Sequence, residues 1–272
     1  MSLDFTLDKY RELCEAITNS RYTSLTVGTY LTAQNPSQKC IVLRHDVDSQ
    51  PSPALRMAEI EKEYEIKSTY YFRFSKSVFA PSLIGEIAAM GHEIGYHYEV
   101  LDKAIGDQVR AAQLFKQELE ELRKIVEVTT VSMHGNPLTK WDNRDFWKRC
   151  SLGDFELKGE AYLSMDFEKV MYYSDTGRTW EDGKFNIKDV IPASMKSVRK
   201  PILATTDDLK NLIQSDKGNI YLLIHPERWT GSPMGYVKRY LIDLFFNIGK
   251  TMILCYRSVL RKMSISEPAR HD

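Results

Sequence analysis

The sequence predicts an α/β fold in which parallel strands alternate with helices. Two observations carry that expectation. From Ile41 to Met133 short apolar runs alternate with helical segments, an order that implies parallel strands joined by right-handed crossovers. In addition, five of the six histidines sit in or beside polar clusters that follow strand-like runs. The clusters are Arg44-His45-Asp46-Val47-Asp48, Gly91-His92-Glu93-Ile94-Gly95-Tyr96-His97-Tyr98-Glu99, Met133-His134-Gly135-Asn136-Pro137 and Ile224-His225-Pro226-Glu227. His and Asp at several strand ends are what a barrel enzyme needs to assemble a metal site or an acid–base pair.

Asp8 to Ser20 reads as an opening helix, with Tyr10, Leu13, Cys14 and Ile17 at helical spacing. Ile41 to Leu43 is a short buried strand. Ser52, as N-cap, and Pro53 open a helix to about Tyr64. Ser68 to Phe74, rich in Thr, Tyr and Phe, is the second strand. Pro81 to Met90 forms a helix closed by Gly91 in the C′ position. Glu93 to Glu99 is the third strand, Asp107 to Val126 an amphipathic helix, and Val128 to Met133 the fourth strand. Ala161 to Met165, Val170 to Tyr173 and Ile202 to Thr205 are further expected strands, with a polar loop from Ser174 to Gly183. Asp207 to Ser215 is a helix, and Asn219 to Ile224 a final strand. No repeat, low-complexity tract or linker divides the chain, so one domain is expected over residues 1–272. Its core covers about 41–229, with a helical extension at 1–40 and a terminal helix at about 235–263.

At 272 residues and 31.5 kDa the chain can bury a sizeable core. Acidic and basic residues balance at 37 each, and no basic stripe interleaved with aromatics stands out, which argues against nucleic acid as a partner. Cys14, Cys40, Cys150 and Cys255 are widely scattered, as in a reduced cytoplasmic protein. The first ten residues lack the pattern of a signal peptide. Tyr240 to Leu260 is apolar but interrupted by Asp243, Asn247, Lys250 and Arg257, which makes it a core-facing or interfacial helix and not a membrane span. A P-loop, a Gly-x-Gly-x-x-Gly turn and a Gly-x-Ser-x-Gly elbow are all lacking.

Asp46 and Asp48 lie two apart at a strand end and so share a side. One carboxylate can bind a metal while the other takes a proton from a metal-bound water. His97 follows Gly95, which permits close backbone approach, and Glu99 shares its side as a further ligand or an orienting group. His134 follows the next strand, and His225, ending the last one, suits a general acid or a ligand. His92, at the entrance of its strand, reads as a packing or helix-end residue, and His271 as an inert tail residue.

These clusters, in this order, resemble the polysaccharide deacetylase superfamily, carbohydrate esterase family 4 with its NodB-homology domain. Arg44-His45-Asp46-Val47-Asp48 is similar to a spaced-out form of that family's Thr-Phe-Asp-Asp motif. Gly91-His92-Glu93-Ile94-Gly95-Tyr96-His97 is close to its Gly-His-Glu-Ile-Gly-Asn-His motif, and Leu223-Ile224-His225 to its final Leu-His motif. Ser132 to Pro137 matches the third motif by position only. The resemblance covers roughly 41–229 and implies a distorted or incomplete (β/α) barrel of about seven parallel strands, working as a metal-dependent deacetylase.

On that resemblance Asp48, His97 and His134 would hold a divalent ion, such as zinc. Asp46 would be the base and His225 the acid, with Val47 leaving open an exchange of the two aspartates. Leu101 stands where the family has its second zinc histidine, so His134 or Glu99 must replace it. Arg178, in the loop with Asp175 and Trp180, is the expected stand-in for the arginine that steadies the base. Trp180 is a candidate to stack on a sugar, and His45 and Glu99 to support the site. The implied activity is deacylation of an N-acylated amino sugar in polysaccharide metabolism. The alternatives are an inactive barrel that binds a glycan or nucleotide-sugar, and hydrolysis of a non-sugar amide.

Overall fold

The computed structural model describes residues 3–33, 39–181 and 185–265, with side chains described as far as residue 255. Met1, Ser2 and His271 lie outside the described residues. Eight strands form one curled sheet: β1 (Thr23–Leu25), β2 (Cys40–Val47), β3 (Thr69–Arg73), β4 (Glu93–Tyr98), β5 (Thr130–Met133), β6 (Gly159–Glu160), β7 (Val170–Ser174) and β8 (Asn219–Ile224). Seven follow the order β6-β5-β4-β3-β2-β8-β7, and β1 lies beside the start of β2. Every pairing is parallel. β6 and β7 end the order without pairing to each other, so the barrel is open there. This is the distorted (β/α) barrel that the sequence predicts.

The helices are α1 (Leu7–Thr18), α2 (Val27–Thr32), α3 (Ser52–Glu63), α4 (Pro81–Ala89), α5 (Val100–Lys103), α6 (Gln108–Arg123), α7 (Thr206–Gln214) and α8 (Pro233–Ile265). Alternation along the central strands supplies two cores. Ile41 and Leu43 of β2, with Ile220, Leu222 and Ile224 of β8, pack with Leu13, Met57 and Leu209 of α1, α3 and α7. Val42, Tyr221 and Leu223 face the other way, into a core with Tyr96, Phe115 and Val131. Each such buried aliphatic side chain contributes about 1.5–3 kcal/mol by removal from water. Local caps agree with the global plan. Thr6 accepts from Lys9 N at the start of α1, Asp107 from Val109 and Arg110 N at α6, and Thr205 and Asp208 form a capping box on α7. Gly91 sits at φ +87° just past α4, where a side chain would be strained.

Four expectations need correction. β2 runs on to Val47, so Arg44, His45 and Asp46 lie within the strand and not beyond it. Ser52 is the first helical residue of α3, not its cap; Pro51 occupies that position without a side-chain bond. Ala161 to Met165 is a turn, because the Glu160 carboxylate accepts from Tyr162 and Leu163 N and bends the chain. Ile202 to Thr205 joins no sheet; Ile202 is 90% exposed, and Thr205 serves as the α7 cap.

α8 is not a core-facing helix. Asp243 and Asn247 turn toward the body: Asp243 is buried and paired with Arg239 at 2.9 Å, and Asn247 Nδ2 donates to Gly177 O at 3.0 Å. Leu241, Leu244, Ile248 and Met252 turn outward and are exposed. Among the described residues no helix is long and apolar enough to cross a membrane.

Candidate active site

The predicted site residues meet at the carboxyl ends of β2, β4, β5 and β8 and in the loop after β7. Alternation on β2 puts Arg44 and Asp46 on one side. Arg44 is fully buried, its guanidinium 4.3 Å from the Tyr162 ring centre and 5.6 Å from that of Tyr71. Its Nε donates to Asp46 Oδ1 at 2.8 Å and its Nη2 to Oδ2 at 2.6 Å, a bidentate pair. Burial would push the Asp46 carboxyl up, but Arg44 outweighs it and holds the group below its ordinary value. The arginine that steadies Asp46 is therefore Arg44. Arg178 is elsewhere: its Nη1 donates to Arg228 O at 3.0 Å, and its guanidinium lies over Tyr236 and Phe5.

Asp48, one step past β2, is the point on which three imidazoles converge. Arg73 fixes its backbone by donating Nη1 to Asp48 O at 2.7 Å. His97 Nε2 lies 3.2 Å from Asp48 Oδ1, His134 Nε2 3.9 Å from the same oxygen, and His225 Nε2 3.8 Å from Oδ2. His97 Nε2 is also 3.5 Å from Asp46 Oδ2.

Each ring has an acceptor behind its other nitrogen. His97 Nδ1 is 3.0 Å from Ser132 O, a carbonyl that can only accept, so the Nδ1–H donates there and Nε2 is left facing Asp48 and Asp46, which raise the ring's pKa against burial. His134 Nδ1 lies 3.0 Å from Glu99 Oε2, and Glu99 is held by Arg73 at 2.7 Å. His225 Nδ1 is 2.6 Å from Asp175 Oδ1. Asp175 also accepts from His225 N, Arg228 Nη1 and Trp229 Nε1, each at 3.0 Å. Arg228 Nη1 stands 2.8 Å from His225 Nδ1 as well, but a guanidinium cannot donate to an N–H, so its proton goes to Asp175.

Electrostatics follow from this packing. Burial works against ionisation of Asp48, yet the His97 contact and the charges of His134 and His225 hold it well below the usual carboxylate range. Glu99, despite burial, is brought down to about 2 by His134, Arg73 and Lys103. Burial and Arg228 oppose protonation of His225, while Asp175 and Asp48 overcome both and raise its value. Glu227 moves the other way, raised by burial and by Asp48. Buried polar atoms without an aligned hydrogen-bond partner gather here: Asp48 Oδ1, Glu227 Oε2, Arg73 Nε and Arg228 Nε, while His134 Nδ1 stands close to Glu99 Oε2 but off its line. An active site stores such unsatisfied groups where a ligand is to supply the partner.

A divalent ion suits this donor set in kind: a carboxylate oxygen with no donor aligned on it, and imidazole Nε2 atoms oriented from behind. With zinc bonds of about 2.0–2.1 Å, neighbouring tetrahedral donors stand roughly 3.3 Å apart. The His97–Asp48 contact has that spacing and the His134–Asp48 contact is about half an ångström wider. As the side chains stand, no group of three or more His, Cys, Asp and Glu among the described residues is assembled to hold an ion. The donors are thus oriented but not closed. Leu101 supplies nothing; it is buried in α5 with its amide donating to Asn143 Oδ1.

A cavity of about 530 Å³ opens above these residues. Asp48, His134, His225 and Glu227 form its polar side, and Phe245, Phe246 and Ile253 of α8 its apolar side. Besides Arg178, two predicted residues are not brought to it. His45 faces away, its Nε2 2.7 Å from Glu61 Oε1, because odd positions of β2 point out of the barrel. Trp180 is 1% exposed and donates to Thr206 Oγ1, packed beside Phe5 and out of reach of a sugar. His92 is buried against Ser68 Oγ and Ala58 O, as expected of a packing residue. Sequence reasoning missed Arg44, Glu227 and Arg228. The alternation that joined Asp46 to Asp48 also reaches Arg44, and was the signal for it.

No family model matches the chain, and none of the curated proteins does. Among solved structures the chain is similar to a carbohydrate esterase family 4 pseudoenzyme from Bacillus anthracis, with 14% identity and a TM-score of 0.40. That match covers 77% of this chain and 62% of the other, so the chain spans less than two thirds of that protein's length. It is also similar to a candidate polysaccharide deacetylase from Mycobacterium smegmatis, with 15% identity and a TM-score of 0.45 over 81% of this chain and 87% of the other. Neither likeness bears on the chemistry.

Proposed function

We propose that the chain hydrolyses an amide with the help of a divalent ion, the substrate being an N-acylated amino sugar. The observation that carries this reading is the convergence of three imidazole Nε2 atoms on Asp48, each with an acceptor behind its Nδ1. Asp48, His97 and His134 would hold the ion. Once bound, such an ion polarises a carbonyl and lowers the pKa of water to about 7.

The chain's own residues do the rest. Asp46 takes the proton of the attacking water; its low basicity, set by Arg44, suits it to a water already acidified. His225, whose pKa Asp175 raises, gives a proton to the leaving amine. Arg228 and Trp229 fix Asp175 and hence the direction in which His225 Nε2 points. Glu227, beside Asp48 and His225 on the cavity wall, is positioned to bind the polar end of the substrate.

Elemental analysis tests this directly. About one ion per chain is expected, absent from His134→Ala, with amine release from N-acetylated sugars by the parent protein alone. Asp46→Asn should keep the ion and lose turnover; loss of the ion in that variant would make Asp46 a ligand. A protein that takes up no ion when zinc is offered refutes the proposal. A second reading, a barrel that binds a glycan without cleaving it, is favoured by Leu101 at the family's histidine position and by the unclosed donor set. Glycan binding without ion or turnover would establish it.

A further inference from the structure

α8 is amphipathic in the opposite sense to a helix packed on a protein core. Its polar residues Arg239, Asp243, Asn247 and Lys250 turn toward the body. Val237, Leu241, Leu244, Phe245, Ile248 and Met252 are 44% to 75% exposed. At about 100° per residue these six share an arc of about 100°, and exposed Tyr240 widens it to about 140°. That is broader than the narrow seam of a coiled coil.

Charge singles out what covers this face. The chain as a whole is neutral, yet besides Arg239 and Lys250 on the body side the α8 sequence contains Lys238, Arg257, Arg261 and Lys262, with Asp243 its one acidic residue. Asp243 is already paired with Arg239, and from Leu244 to Ile265 the sequence has no acidic residue. Two copies of this helix laid together would oppose like charges with nothing to pair them, which disfavours self-association. A broad apolar stripe with aromatics and an excess of Lys and Arg is instead what lies in the interface of an anionic bilayer.

We propose that α8 seats the chain on an anionic phospholipid surface, with Leu241, Leu244, Ile248 and Met252 turned into the acyl boundary. The inference stands on the exposed stripe and its charge and is independent of the chemistry proposed for the cavity. Because Phe246 and Ile253 of the same helix border that cavity, docking would bring its mouth to within about one helix diameter of the headgroups, roughly 10 Å.

Vesicle flotation with the full chain tests it. The chain should float with vesicles of equal phosphatidylglycerol and phosphatidylcholine, and bind phosphatidylcholine alone about tenfold or more weakly. Salt of about 0.5 M, which shortens screening to a few ångström, should weaken the anionic binding toward that lower level. Leu244→Glu with Ile248→Glu should abolish flotation, and Lys238→Glu should weaken it, with the circular dichroism and melting temperature of both unchanged. Binding indifferent to lipid charge overturns the proposal. So does a chain that ignores vesicles, whether it sediments as a monomer or as a dimer that Leu244→Glu dissociates.

Discussion

The two faces of β2 each present a buried histidine–carboxylate cluster, and they have opposite character. On the outer face Glu61 is saturated. Its oxygens lie 2.7 Å from His45 Nε2 and accept from Ser68 Oγ at 2.6 Å and Tyr70 Oη at 2.8 Å, with Tyr10 Oη a further donor. Burial would raise this carboxyl, but His45, His92 and Ser68 bring it down to about 2. On the inner face Asp48 keeps a buried oxygen without a hydrogen-bond partner although three imidazoles surround it. The same residue types therefore serve two ends. A carboxylate whose lone pairs are filled locks α1, α3 and β3 together, whereas one left open stands beside a cavity with a lone pair unused.

Substitutions should separate the two clusters cleanly. The largest effect is expected at Asp48→Ala, which should lose the ion and lower amide hydrolysis about a thousandfold or more, while leaving the unfolding midpoint nearly unchanged; retained metal would refute its place as a ligand. His225→Ala should lower kcat by about a hundredfold to ten-thousandfold with metal content unaltered, as removal of a general acid does.

On the outer face Glu61→Leu should leave the ion stoichiometry of the folded protein intact and cost about 3–5 kcal/mol of stability in urea titrations, since His45 loses its partner. Its pH signature is equally specific. Glu61 ionises at about 2 in the folded chain against an ordinary 4.5, so the unfolded chain takes up a proton first as pH falls. The associated stability, about 3 kcal/mol, is fully present above pH 4.5 and drains away between 4.5 and 2. A Glu61→Gln variant should flatten that slope, and an unchanged acid titration would show that the cluster does not govern it. Smallest is Gly95→Ala on β4, whose new Cβ would run into the Tyr71 ring; a loss of about 1–3 kcal/mol is expected from the strain, read from thermal melts.

Much of the barrel was legible because its strands are nearly continuous apolar runs with helices between them. Asn219–Ile224 has the predicted bounds, and β3, β4 and β5 fall within the predicted ranges. Where charge enters a strand the signal weakens: Arg44 and Asp46 read as a polar cluster at the strand's end, yet their mutual pairing lets them stay within β2 with both buried. Ile202 failed in the opposite way, as an apolar residue left on the surface. Within the site, His97, His134, His225 and the two aspartates were visible as strand-end clusters. The direction of each ring was not, because it depends on groups distant in sequence, such as Ser132 O behind His97 and Asp175 behind His225. Trp180 shows the limit of composition: an aromatic in a polar loop looks available to a sugar and is instead walled in by Phe5 and Thr206.

The strict alternation of β2 has a consequence for how this chain can change. Arg44, Asp46 and Asp48 belong to one cluster and His45 to the other, so the strand works as a two-phase ruler. Inserting or deleting a single residue between Cys40 and Leu43 would advance the ruler by one phase, aiming His45 at the cavity and Asp46 at the helices. Both networks would be dismantled in one step, with no intermediate in which only one is lost. Variation in this strand is therefore confined to substitution at fixed length, and any homologue in which that length differs must have rebuilt both faces at once.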